Sequence, residues 1–195
     1  MDAMRRTLLG TAAAALLAGN ARPLCADDEP ADLHDPIPAP PAKPTPGRAG
    51  DFAFLDGAWR IRHWRRRAEE AAWDAFDGEA TCHSLLGGVA SVEELRIPAR
   101  DFSGMGLRLL DPATGVWSDY WVNAKVGVLA GAGLTGSFED GAGLFYARET
   151  DAQGELLGAG IWDRIGAGRC RWRQATSRDS GLSWRVTWIM HWSQA

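Results

Sequence analysis

The chain has 195 residues, 46% of them hydrophobic and 24% charged, with a formal net charge of −4. That length suits one domain with appendages. The charge balance gives no basic stripe interleaved with aromatics, which excludes a nucleic-acid surface of the usual kind. The run Arg65-Arg66-Arg67 is followed at once by Glu69 and Glu70, and it reads as a solvated strand end.

Residues 1–26 read as a secretory signal. Met4-Arg5-Arg6-Thr7 is a charged start, 8–19 is a short apolar run, and small residues near 19–26 offer cleavage chemistry. The run is too short to span a bilayer as an anchor, so no integral membrane segment is expected after cleavage. Arg5-Arg6 before Thr7-Leu8-Leu9 resembles a twin-arginine export signal. Lipidation is disfavoured, because Asn20 follows Leu16-Leu17-Ala18-Gly19 and Cys25 follows Pro23-Leu24. The destination is the periplasm or the extracellular space. There Cys82 and Cys170 are the cysteines left, in an oxidising compartment. They fall in segments expected far apart around a sheet, so two buried thiols are expected, with one disulfide as the alternative.

Residues 27–50 hold seven prolines and almost no large apolar side chain. Such a stretch has no means of building a core of its own and is expected to be an extended or disordered spacer. The domain proper, 51–195, opens with one helical turn near Phe52-Ala53-Phe54-Leu55, closed by Gly57. About ten short runs follow, at 59–66, 72–84, 90–97, 105–110, 116–123, 133–138, 143–149, 155–163, 169–175 and 183–192. They are rich in Val, Ile, Thr, Tyr and Trp, which is how strands read. The separators are turn chemistry: Asp111-Pro112-Ala113-Thr114-Gly115, Glu139-Asp140-Gly141, Asp151-Ala152-Gln153-Gly154 and Arg178-Asp179-Ser180-Gly181. Strands joined by hairpin-length loops predict an antiparallel meander. So many open edges would aggregate, so the sheet must close. The expected fold is all-β, an up-and-down barrel of about ten antiparallel strands.

Ten tryptophans, all between Trp59 and Trp192, mark the interior of that barrel. Alternate residues face in, and the Trp-bearing face is taken as inward in each strand. Trp59, Ile61 and His63 then share a face in the first strand. Trp117, Asp119, Trp121 and Asn123 share one in the middle, and Trp184, Val186, Trp188, Met190 and Trp192 share one in the last. Ten indoles exceed what a small packed barrel needs, which points to a cavity. Aromatic walls bury an apolar ligand at roughly 25 cal/mol per Å², and a few polar groups orient it. The candidate ligand-binding residues are Trp59, His63, Glu94 (with Glu93 as its alternative), Arg108, Asp119, Trp121, Trp172, Gln174, Trp188 and Met190.

Several motifs in order carry a resemblance. They are Phe54-Leu55-x-Gly57-x-Trp59, Leu85-Leu86-Gly87-Gly88, Glu93-Glu94, the segment 107–115, and Trp117-Ser118-x-Tyr120-Trp121. Phe138-Glu139-Asp140-Gly141, Trp172-x-Gln174-Ala175 and Ser180-Gly181-x-x-Trp184-x-x-x-Trp188-x-Met190 complete the set. Over about 51–193 the chain resembles a bacterial family of lipocalin-like (calycin-type) barrels of unknown function. The resemblance implies a barrel with an internal cavity and no established activity. The chain departs from that pattern at Ala147-Arg148, at 157–160, and at Arg173, Arg185, Thr187 and His191, where relatives tend to carry other polar residues.

No cofactor or metal is implied, since His34, His63, His83 and His191 lack paired spacing. No nucleophile motif such as Gly-x-Ser-x-Gly occurs. The leading expectation is an exported barrel, monomeric or weakly dimeric, that binds a small apolar or aromatic molecule. An isomerase or hydratase using Glu94, Asp119 or His63 is the alternative, and a module whose tryptophans are only core is the third reading.

Overall fold

The computed structural model describes residues 30–67, 72–129 and 131–195. The signal and lipidation readings over 1–26 lie outside the described residues. Ten strands form one closed antiparallel barrel: β1 (Gly57–Arg66), β2 (Trp73–Leu85), β3 (Ala90–Ile97), β4 (Phe102–Asp111), β5 (Val116–Asn123), β6 (Leu134–Glu139), β7 (Ala142–Asp151), β8 (Gly154–Gly166), β9 (Arg169–Ser177) and β10 (Arg185–Gln194). Each strand pairs with the next, and β1 closes on β10 from Trp59↔Gln194 to Arg65↔Trp188. The expected barrel and its meander order are what the chain forms.

One end is plugged. A 3-10 turn, Ala53–Leu55, drops Phe52 and Leu55 into the barrel. The Phe52 ring stands edge-on to Trp117 at 5.0 Å and to Phe138 at 4.9 Å, and Trp59 Nε1 donates to the Leu55 carbonyl at 2.6 Å. Gly57 follows at φ +120°, a conformation that glycine adopts without strain. Cys82 and Cys170 are free thiols buried near this end. Burial pushes the Cys82 thiol up to about 12, which makes it unreactive.

The last strand corrects the expected facing. A β-bulge between Val186 and Trp188 shifts its register against β9. The extra residue reverses the alternation. Trp188, Met190 and Trp192 therefore face the interior, whereas Trp184 and Val186 join an apolar cluster on the outside of the barrel. Trp64 and Trp73 also belong to that outer cluster.

The outer cluster explains a second correction, to residues 27–50. From Pro30 onward this segment is a strap laid across β7–β10. Leu33 and Ile37 are buried against Tyr146, Ala159, Ile161, Ala175 and Ile189. Prolines lack an N–H, so such a chain has mainly carbonyls to satisfy. Tyr146 Oη donates to the Pro38 carbonyl at 2.8 Å, and Arg173 donates to the carbonyls of Asp35 and Pro36. Gly47 and Gly50 then hydrogen-bond Gly115 and Gly88, which delivers the chain to the plug.

Charge fixes the start of the strap. Asp32 is buried and contacts Arg171 at 2.5 Å, His191 at 2.9 Å and Arg164 at 3.1 Å. Burial opposes its charge, yet the hydrogen bonds from His191 and Arg171 hold its carboxyl well below the usual range. Arg171 in turn pairs with Asp163 at 2.7 Å. Breaking a buried pair costs about 3–5 kcal/mol. Asp32→Ala is therefore expected to release the strap: limited proteolysis should cut within 30–50 at least tenfold faster than in the parent, with the barrel left intact.

Candidate functional site

The interior above the plug is built by inward positions of the strands. Arg108 on β4 lies beside Asp119 on β5 and across from Ser91 on β3. Its guanidinium donates a short hydrogen bond to Glu93 and stands 3.5 Å from Asp119. It also lies over the rings of Phe52 and Trp162, at 5.2 and 5.1 Å. Cation–π contacts of this kind gain from desolvation. Burial opposes the charge of Arg108, but Glu93 and Asp119 outweigh it and raise its pKa.

Asp119 responds in the opposite sense. Burial pushes its carboxyl up to about 6, only partly countered by Arg108, and Glu93 adds repulsion. Its side chain nevertheless keeps 13% of its surface accessible. β5 pairs with β6 only from Trp117 to Asp119, so solvent reaches inward side chains here through the open end or through the gap in the wall. Trp121, Trp172, Gln174 and Ala147, all at inward positions, are likewise partly exposed. Inward side chains in the half of the barrel away from the plug are thus reached by solvent down to mid-strand. The rim of that half carries Val126, Val128 and Leu129 on the β5–β6 loop, each about half exposed.

His63 sits near the open end but is fully buried. It stacks on Phe76 at 4.7 Å, and its Nδ1 accepts from Trp188 Nε1 at 3.2 Å. Accepting at Nδ1 puts the neutral ring's proton on Nε2, which has no partner. Burial, then the charges of Arg100 and Arg65, drop its pKa to about 3, so it is a neutral imidazole throughout the physiological range. Arg100 pairs with Asp74 through two bonds of 2.7 and 2.9 Å. Arg65 also turns inward, over the Trp188 ring at 4.5 Å, instead of extending into solvent as the arginine run implies.

Of the residues singled out from the sequence, His63, Arg108, Asp119, Trp121, Trp172, Gln174, Trp188 and Met190 share this interior. Trp59 is interior too, but it is buried beside the plug, away from that solvent-reached half. Glu94 is corrected: it faces out, is exposed and pairs with Arg96 at 2.7 Å, while Glu93 faces in. Leu95 and Ile97, both fully buried at odd positions of β3, carry the parity that identifies Glu93. Asn123 joins the interior with Oδ1 held by the Lys125 N–H at 2.9 Å and its Nδ2 unpartnered. Arg173 and His191 lie on the outer face, where they hold the strap.

Among the described residues no group of three or more His, Cys, Asp or Glu is arranged to hold a metal ion, and no helix is long and apolar enough to cross a membrane. In comparisons with known proteins, no family model matches the chain and no curated protein is significantly similar to it.

Proposed function

We propose that this chain is an exported, lipocalin-like binding protein whose hollow half-barrel takes a small apolar or aromatic molecule. The observation that carries the reading is the partial exposure of inward Trp121, Trp172, Gln174 and Asp119 in one half of the barrel. Indole walls supply apolar area, and Asp119 with the Gln174 amide supplies orientation. Export rests on the reading of residues 1–26.

Binding should quench the indoles that line the hollow. Titrating a panel of hydrophobic and aromatic molecules is expected to give at least one saturable 1:1 quench of tryptophan emission. A panel without any saturable response would overturn the proposal. One observation favours an enzymatic reading as well: a carboxyl poised near 6 and reachable from the interior suits general acid–base work. Under that reading, Asp119→Asn removes turnover while leaving ligand binding within about threefold.

A further inference from the structure

We infer that a second ligand site lies outside the barrel, beneath the strap, and that it takes a small aliphatic primary amine. A cavity of about 190 Å³, partly open to solvent, lies between the prolines of the strap and the outer face of β6 and β7. Pro40, Pro41 and Pro44 form one wall and Leu144 with Tyr146 the other. The site is distinct from the hollow and stands whether or not that hollow binds anything.

Two polar groups in this cavity lack partners. Ser137 is 95% buried, with 5% of its surface exposed, and its Oγ makes no hydrogen bond. A buried hydroxyl left so is destabilising, and buried polar groups are nearly always satisfied. Glu139 lines the same cavity, half-buried, with no ion pair among the described residues. Thr45 and Thr135 add two more hydroxyls, and among the described residues no cationic side chain lines the space.

Every polar group lining the cavity can accept a hydrogen bond, and the one charge is negative. An ammonium is the complement: three donors and a positive charge for Glu139, Ser137 and the threonines. The apolar remainder of the lining is proline ring, Leu144 and Tyr146, which suits a short alkyl tail. The cavity volume matches a molecule of a few heavy atoms. The strap supplies one whole wall, so such a ligand also bridges strap and barrel.

The test is a titration of the full chain with n-butylammonium chloride, read by NMR shifts. Saturable shifts at Thr135, Leu144 and Tyr146 are expected, with a dissociation constant on the order of 1 mM for so few atoms. Glu139→Gln should weaken binding at least tenfold, and so should Ser137→Val, which replaces the accepting hydroxyl with methyl groups. Butyrate and 1-butanol, with the same tail, should bind at least tenfold more weakly. Equal binding by butyrate, unchanged affinity in Glu139→Gln, or shifts confined to Trp172 and Gln174 would each overturn the assignment. A blocked lysine that binds more tightly than butylammonium would give the site to a protein side chain and overturn the free-amine assignment. If Ser137→Val fails to fold, Glu139→Gln decides alone, because it keeps the shape of a half-exposed residue.

Discussion

Replacing Arg108 with methionine is expected to lower the unfolding free energy by about 3–5 kcal/mol, the penalty for stranding a buried countercharge. Arg108 and Glu93 each keep only 4% of their side-chain surface exposed, so the carboxylate left behind has no water to turn to. Asp119, 3.5 Å from the guanidinium, loses its cation as well. The arginine's stem and its contacts with Phe52 and Trp162 make up part of the loss. The double variant Glu93→Leu/Arg108→Met removes both charges and should recover most of the stability, since an apolar replacement of a buried pair is often neutral. Urea denaturation of the three proteins reads both effects. A single variant with an unchanged midpoint would show that the pair is not closed off as its geometry states.

Asp119→Asn should reshape the pH dependence of stability. The folded carboxyl titrates near 6 against an ordinary 3.8. Between about pH 4 and 6 the folded state therefore binds a proton that the unfolded state has lost, and stability falls as pH rises through that window. The shift corresponds to about 3 kcal/mol lost by pH 7. Asparagine cannot ionise, so the difference between variant and parent should move by about that amount in favour of the variant from pH 4 to pH 7. Losing the contact with Arg108 adds an offset, and the slope does not depend on it. Carboxyls shifted elsewhere, such as Asp32 held low at the strap and Glu149 raised by burial, cancel in that difference. A flat difference across the window would mean that Asp119 is solvated like a surface carboxylate.

The barrel was legible because its causes are local: hairpin-length separators, β-branched and aromatic runs, and alternation along each strand. The inward sets on β1 and β5 follow from that period of two. The bulge in β10 was not legible, because Trp184, Val186, Trp188, Met190 and Trp192 keep a perfect alternation across it. One extra residue turns Trp184 outward without leaving a mark on the pattern.

The strap hid for a different reason. A proline-rich segment with few apolar residues builds no core, but it does not have to if another surface waits for it. The signal lay in the barrel. Residues 157–162 and 188–190 are apolar at odd and even positions alike, which is the pattern of strands covered on both faces. Leu33 and Ile37, isolated among prolines, are the side chains that cover them. Glu93 was within reach of parity. The partnerless Ser137 beneath the strap was not, since it depends on where the strap lies.

The proposed ligand-binding hollow in the open half of the barrel can be tested by filling it. Ala147 faces that hollow and is only partly buried, so Ala147→Trp should occupy the space while the barrel keeps its fold. The measurement is a tryptophan-emission titration of parent and variant with the tightest-binding apolar molecule of the panel. Saturable 1:1 binding to the parent is expected, with at least tenfold weaker binding to the variant. Equal affinity in the two proteins would contradict the proposal.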